Sequence, residues 1–544
     1  MATLFAQRDN VHLGEEMVTA TRTERLLASV PMPVQVIGAS TIRSSGSTRL
    51  QDILGEQAGL VVVPQVNGLG NGIQIQGLNP DYTLILLDGE PLVGRYAGTL
   101  ELSRITTARI KKIEIVRGPS SSLYGSEALA GVINLITEQP LSSRALLSGR
   151  YGSRNTSDLN ACASLVGSKL RFDIMANRYA TDGYDFSPEI FGQTVAPFQN
   201  YTLMPRLSWT PARGHEAQLS LRWFAEHQLN SYQVINGTDS IRVQGSGDIT
   251  DYNIHNWYRY TGIPGLQLTA RLYATSYKTK TALNKLETGD LHYADDFRQS
   301  FTRPEVQAVW RGWNKQRVTA GTGYIREAVK TTRYGDLTGR TQNTWYGFAQ
   351  HEWDPLSRLT LVSGLRYDHN DTYGSQLSPK LAALFQASEK LSFKLSAGSG
   401  FKAPDFRQLY LNFDNAAASY AVFGTEVVSD QLKTLDREGR ILEYFRNPAT
   451  MGSIMPESSF ALNLGVTYRI NHTLDLECNF FQNRLRGLIE TIPVAVTTNQ
   501  KTIYSYTNIR RALTEGLEAQ AGWQVHPRIK ISAGYQWLLA FDRD

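Results

Sequence analysis

Val116 to Thr137 reads VRGPSSSLYGSEALAGVINLIT, and the reading of this stretch decides the fold. It carries no helical stripe, and alternation of apolar with polar residues begins only in its last few positions. It opens on Gly118-Pro119, continues through three serines and sets Gly125 and Gly131 among small residues. A segment with so little apolar surface and so many turn-forming residues cannot build a core by itself. It makes physical sense as compact filler enclosed by something larger. Just upstream, Tyr82 to Gly89 (YTLILLDG) reads as a fully buried strand that ends in a turn.

The enclosing material begins near Ser142, where the text changes to alternating strands. Lys390 to Ala397 sets Leu391, Phe393, Leu395 and Ala397 on one face and Lys390, Ser392, Lys394 and Ser396 on the other. Phe460 to Ile470 repeats the pattern, and so does Ile531 to Phe541, with Ala533, Tyr535, Trp537 and Leu539 on one side. A period of two, kept over about ten residues many times, is what a lipid-facing barrel strand requires. Trp209, Trp223, Trp310 and Tyr367 fall near the expected strand ends, where aromatic girdles belong. Short turns are expected at 166–169, 262–265, 312–315, 355–358, 387–390, 470–472 and 526–528. Long loops are expected around 182–199, 229–249, 280–297 and 401–456. That scheme yields about seventeen strands, whereas a closed single-chain bacterial barrel has an even number, so further strands are expected after Asp544.

Composition agrees with a barrel and excludes other classes. The 544 residues include 45 glycines, 26 tyrosines and 9 tryptophans, and aromatics make up 10%. No apolar run approaches the roughly 18 residues of a membrane helix, but a barrel hides its signal in alternation. A net charge of +5, with both signs intermixed, leaves no nucleic-acid footprint. Cys162 and Cys478 have no motif spacing and read as two isolated half-buried thiols. Met1 to Gln7 (MATLFAQ) is too short for a secretory signal and reads as the tail of one.

Together, Tyr82–Gly89 and Val116–Thr137 resemble the plug domain of TonB-dependent outer-membrane receptors, which fills a large β-barrel and gates uptake. The resemblance implies an all-β membrane barrel with an N-terminal α+β plug in its lumen: a tail over 1–30, the plug over 31–140 and the barrel over 141–544. It also implies a barrel of about 22 strands, so about five would lie beyond Asp544. The chain end, WLLAFDRD, is not the aromatic terminus usual for such barrels.

Within the tail, Glu15 to Arg25 (EEMVTATRTER) resembles the TonB box and its flank, with Glu16, Met17, Val18, Thr19 and Ala20 as its core. A short β-prone segment of this kind can add itself as a strand to a partner's sheet edge. Ser47 to Leu54 (STRLQDIL) reads as a helix capped by Ser47, with Leu50, Ile53 and Leu54 inward. In the family an arginine commonly precedes the glycine after Ile73-Gln74-Ile75; here Gln76 stands in that place, which puts one plug–barrel charge contact in doubt. Arg117, in IEIVRGP, matches the second common arginine and is expected to touch the barrel. Taking the plug strands to alternate in direction, Val66–Gly72 (VNGLGNG) and Glu90–Gly98 (EPLVGRYAG) face outward. In the family, loops at these places form the apex that touches ligand. Asn67, Asn71, Arg95 and Tyr96 are therefore the plug's ligand candidates, with Arg95 able to pair with an anionic chelate. Phe401–Tyr410 (FKAPDFRQLY) and Pro456–Ser459 resemble the flanks of a large extracellular loop, but the Asn-Pro element of haem receptors is missing.

Little else carries chemistry. The nine histidines form no close metal pair, and His292 in a long loop is the one nominated as a ligand contact. Haem receptors use a plug histidine, yet none lies between His12 and His215. Asp295 and Asp296 fall far short of a calcium site, VNGLGNG lacks the lysine and helix of a phosphate loop, and no nucleophile, base and oxyanion donor assemble. The expectation is a non-enzymatic, cofactor-free monomer in the outer membrane, in contact with its lipid and energised by TonB. Its cargo is expected to be an iron chelate, a siderophore before cobalamin and haem. A non-transporting binding barrel is the reading from another class.

Overall fold

The computed structural model describes residues 17–19, 25–64, 71–95, 100–236, 239–335, 338–415, 419–448, 451–526 and 528–543. Two bodies are nested. The inner one is built on a five-stranded sheet in the order β3-β8-β9-β6-β7, formed by β3 (Val34–Gly38), β6 (Thr83–Leu87), β7 (Glu90–Pro91), β8 (Ile110–Arg117) and β9 (Gly131–Thr137). A hairpin of β4 (Leu60–Pro64) and β5 (Asn71–Ile75), a two-stranded pairing of β1 (Met17–Val18) with β2 (Arg25–Leu26), and helices α1 (Ala39–Ser45), α2 (Leu50–Gly55) and α3 (Ser121–Tyr124) complete it.

Two details correct the sequence reading of this body. The strands do not all alternate, because β6 and β9 run parallel. Ser47 does not cap α2, which starts after Arg49 without a side-chain cap; the Ser47 hydroxyl binds Glu56 instead. Leu50, Ile53 and Leu54 do point into the core. The central stretch is packed as filler must be. A side chain at Gly131 (φ +159°) would strike the Val116 carbonyl, and one at Gly125 (φ +81°) would strike the Arg366 guanidinium of the outer body.

The outer body is a twenty-stranded meander. It begins with β10 (Arg144–Tyr151), β11 (Ser157–Val166), β12 (Leu170–Thr181), β13 (Phe198–Trp209), β14 (His215–Asn236), β15 (Asp239–Ile263) and β16 (Leu266–Lys285). It continues with β17 (Leu291–Trp310), β18 (Gln316–Thr331), β19 (Arg340–Leu356), β20 (Leu359–Asn370), β21 (Gly374–Gln386) and β22 (Leu391–Lys402). After a long loop come β26 (Glu457–Arg469), β27 (Leu474–Thr497), β28 (Thr502–His526) and β29 (Ile529–Asp542). The loop itself holds α4 (Phe406–Tyr410), β23 (Asn412–Asn415), β24 (Tyr420–Phe423), α5 (Val428–Arg437) and β25 (Ile441–Tyr444). With these three short strands set aside, seventeen strands form the wall among the described residues. β22 pairs directly with β26, so the loop is an excursion from the wall.

The alternation is inverted relative to a water-soluble sheet. Phe393 and Leu395 are each 44% exposed on the outside of the wall, while Lys394 and Ser396, which alternate with them, are buried against its interior. A wall that is apolar outside and polar inside is one built for lipid. Trp209, Trp310, Trp353 and Trp523 lie together at the short-turn end, whereas Trp223 lies well inside its strand. Two expected loops prove to be strand. β14 and β15 run for 22 and 25 residues and meet across a short connection near Asn236, and β16 and β17 close over 286–290. These hairpins stand beyond the length a membrane needs, about 9–11 residues per strand, so their polar sequence reads as loop although it pairs as sheet.

Candidate functional site

The nested arrangement leaves two chemically distinct faces, one at each end of the barrel. At the long-loop end the inner body shows Arg95, which follows β7. Its guanidinium donates to the Thr83 carbonyl (3.0 Å) and pairs with Glu127 (3.3 Å), leaving the side chain 13% exposed. Arg95 is therefore already half neutralised, which the sequence did not show. The neighbouring Gly94 N–H donates to Gln299 of β17, whose amide in turn donates to Glu327 of β18.

Above this apex stands the loop base. Lys402, the last residue of β22, pairs with Asp81 of the inner body (2.8 Å) and lies 5.0 Å over the Tyr82 ring. Burial alone would raise the Asp81 carboxyl, but the attraction of Lys402 outweighs it and holds the group below its ordinary range. Ala403 N–H donates to Ser126, and Asp405 caps α4 in a reciprocal box with Gln408. Around this base guanidinium groups lie over aromatic rings: Arg340 over Tyr410 (5.3 Å) and Arg333 over Phe413 (5.2 Å), the latter also paired with Asp295 (3.0 Å). The loop is not slack. Val428 and Leu432 of α5 pack with Phe423, Val494, Ala495 and Ile503, tying it to the tall β27–β28 hairpin.

The opposite face carries the tail. Met17 and Val18 form a strand, but its partner is Arg25–Leu26 of the same chain, and Val18 is fully buried with Val30, Met32, Val34 and Val116. Thr19 donates through its backbone N–H (2.9 Å) and its hydroxyl (2.7 Å) to Glu114 of β8, and accepts from Asn134 of β9 (3.1 Å). Lys112 binds the Met17 carbonyl and pairs with Glu114 (2.8 Å). Arg25 reaches the wall at Glu352 of β19 (3.0 Å). The segment expected to pair with a partner is thus folded away on the plug sheet.

The remaining candidates sort as follows. Arg117 meets the wall at Glu518 of β28 (3.3 Å) and donates to Gln35 (2.7 Å). Gln76 takes an uncharged contact in the neighbouring place, accepting from Asn483 of β27 (3.2 Å). Asn71 turns inward and donates to Gln51 of α2 (2.9 Å), which occupies its amide. His292 sits at the start of β17, three residues before the Asp295 that Arg333 engages along the chain's own hairpin, and not beside Arg95. Glu16, Ala20, Asn67 and Tyr96 lie outside the described residues. The sequence reading missed Arg333, Arg340 and Tyr410. The signal was present in TTRYGDLTGR and FRQLY, where basic and aromatic residues recur, but only the fold brings the two segments together.

The family model described as TonB dependent receptor-like, beta-barrel matches residues 144–544, and that described as TonB-dependent Receptor Plug Domain matches 27–132. The chain belongs to the TonB-dependent receptors. The family is one of outer-membrane transport receptors, and membership brings interaction with TonB and a small-molecule ligand. Among sequence relatives, the vitamin B12 transporter BtuB of Vibrio cholerae serotype O1 is 26% identical over 431 residues, covering 75% of this chain and 67% of that one. Among solved structures, the siderophore receptor PirA of Pseudomonas aeruginosa superposes with a TM-score of 0.71 at 19% identity, covering 94% of this chain and 85% of that one. A mutant of the ferric enterobactin receptor PfeA of Pseudomonas aeruginosa, solved with enterobactin, gives 0.74 at 18% identity and covers 94% and 81%. At such identities these structures speak for the fold, a plug within a large barrel.

Proposed function

We propose that this receptor is an outer-membrane transporter that takes up an iron chelate, a siderophore first, using energy delivered through TonB. Residues 1–30 would serve as the coupling tail, 31–140 as the plug and 141–544 as the barrel, working as a monomer. The observation that carries the reading is the outer vestibule, where Arg333 and Arg340 lie over aromatic rings above the Arg95–Glu127 pair. Guanidinium over an aromatic face suits a flat or anionic ligand, to which it offers both charge and stacking surface. The tail supports coupling: Met17–Val18 is a strand and, with Thr19, is held by Glu114 and Lys112, so it needs release before it can pair elsewhere.

Cobalamin is the second reading, favoured by the sequence relative BtuB. A receptor-deletion strain complemented with the full-length gene and fed a panel of ferric chelates, haem and cobalamin tests both. Growth on a ferric siderophore that depends on TonB is the expected result. Growth on cobalamin alone would move the assignment to the second reading, and binding without TonB-dependent growth would leave a binding barrel.

A further inference from the structure

The plug does not grip the wall evenly. Arg49 pairs with Asp158 of β11, Arg109 with Asp173 of β12 and Arg104 with Asp251 of β15. Glu90 pairs with Arg303 of β17 and meets His255 of β15, and Arg117 pairs with Glu518 of β28. On the far side α3 lies against β20, β21 and β22, with β26 beyond. There the described residues show one plug–wall ion pair, Asp81–Lys402, at the outer end. Apart from the Arg366 guanidinium of β20, which donates to the Leu123 carbonyl of α3 (3.2 Å), the rest of that sector is small and poorly bonded. Ser121 and Ser122 are buried beside Gly400 and Gly364, and their hydroxyls make no hydrogen bond; neither do those of Ser378 and Ser459 on the wall. In their midst Lys380 is only 6% exposed, flanked in register by Gly364 and Gly398; among the described residues its ammonium has the Met32 sulfur (3.4 Å) as hydrogen-bond partner and pairs with no carboxylate.

We propose that the plug parts from the barrel along β20, β21, β22 and β26, and that anionic cargo passes through this seam past the Lys380 ammonium. The proposal rests on the transport reading above. Its physical basis is the difference in what water would replace. Buried hydroxyls without partners, and an ammonium whose partner is a thioether, gain hydrogen bonds when water enters, whereas the other sector must first break buried ion pairs. Small residues on both sides, α3 serines against wall glycines, interlock least and leave a cleft once α3 shifts. Lys380 is then the cation exposed to the cleft with no counter-charge to mask it.

The test uses the full-length receptor with Cys162→Ser and Cys478→Ser and one new cysteine at a time. Ser122→Cys and Ser378→Cys report on the seam; Thr202→Cys and Thr275→Cys report on the wall of the ion-paired sector. In purified receptor, maleimide labelling in urea below global unfolding should be at least tenfold faster at the seam positions. Equal rates, or faster labelling at Thr202 and Thr275, would overturn the proposal. This arm needs no transport, so it stands even if the transport reading fails. In energised cells given ferric enterobactin, or the ferric chelate that supports growth, Ser122→Cys should label faster only when the tail is intact. Lys380→Met should slow uptake several-fold without changing equilibrium binding, and Lys380→Arg should keep it. Unchanged uptake in Lys380→Met would take Lys380 off the route.

Discussion

The two flanks of the plug meet the same wall by different means, and the difference explains how a barrel can be both sealed and opened. The flank facing β11 to β17 is held by charge. Asp173, wholly buried, serves Arg109 (3.5 Å) and Arg206 (3.3 Å) at once, and Asp251 serves Arg104 and Arg222. The flank facing β20 to β22 is held by close approach of small groups, with Ser122 against Gly364 and Ser121 against Gly400. Ion pairs in a low-dielectric interface are long-reaching and specific but costly to break singly. Small-residue contact seals by shape and yields once displaced. A plug with both can be anchored on one flank while the other moves.

Substitutions on the tail, on each flank and at the apex put this contrast to the test. The largest effect is expected from Val18→Pro, which removes a backbone donor and strand capability from the tail. Uptake should vanish while ligand binding stays; normal whole-cell uptake would show that force does not enter through this segment. Next, Asp173→Asn leaves two buried guanidinium groups without their carboxylate, and should weaken plug seating by about 3–5 kcal/mol, read as a lower urea midpoint for plug unfolding. A similar loss from Ser378→Ala would erase the distinction between the flanks, since that change removes only an unbonded hydroxyl.

A smaller effect belongs to the apex. Arg95→Ala should weaken binding of an anionic chelate by about 1.5 kcal/mol, near the low end for a charged hydrogen bond, because Glu127 already occupies the guanidinium. Glu127→Gln should act in the opposite direction and tighten binding, as isothermal titration with the growth-supporting chelate would show. The smallest change is expected from Lys380→Met, which removes an unpaired buried charge and should raise the urea midpoint, by about 1 kcal/mol of seating free energy. A lower midpoint would mean that Lys380 anchors the seam.

Most of the architecture was legible in the sequence because its determinants are local. Period-two alternation in Lys390–Ala397 and Phe460–Ile470 marks strands wherever one face meets lipid, and the small-residue run after Arg117 marks filler. Where polarity does not alternate with burial the signal fails, as in the tall hairpins around Asn236 and Lys285, where most side chains on both faces are at least partly exposed, Val243 and Leu283 aside. The site was less legible because its groups meet across the chain. Arg117 and Glu518 are four hundred residues apart in sequence, on the order of the whole barrel, and no local pattern announces their pairing. Arg340 finds Tyr410 for the same reason. The seam was hidden for another one: glycine at 364, 398 and 400 reads as a weakness of two strands until α3 is seen against them.

The contrast can be put to a direct test with a disulfide across the seam. A Cβ at Gly364 would lie 3.8 Å from that of Ser122, within the separation of about 3.5–4.5 Å that a disulfide needs. The variant Ser122→Cys/Gly364→Cys, with both native cysteines replaced by serine, should bind its chelate whether oxidised or reduced. Oxidised, it should fail to take the chelate up, and reduction should restore uptake in the same cells. Uptake at the full rate through a receptor shown by mass spectrometry to carry the closed disulfide would contradict the account.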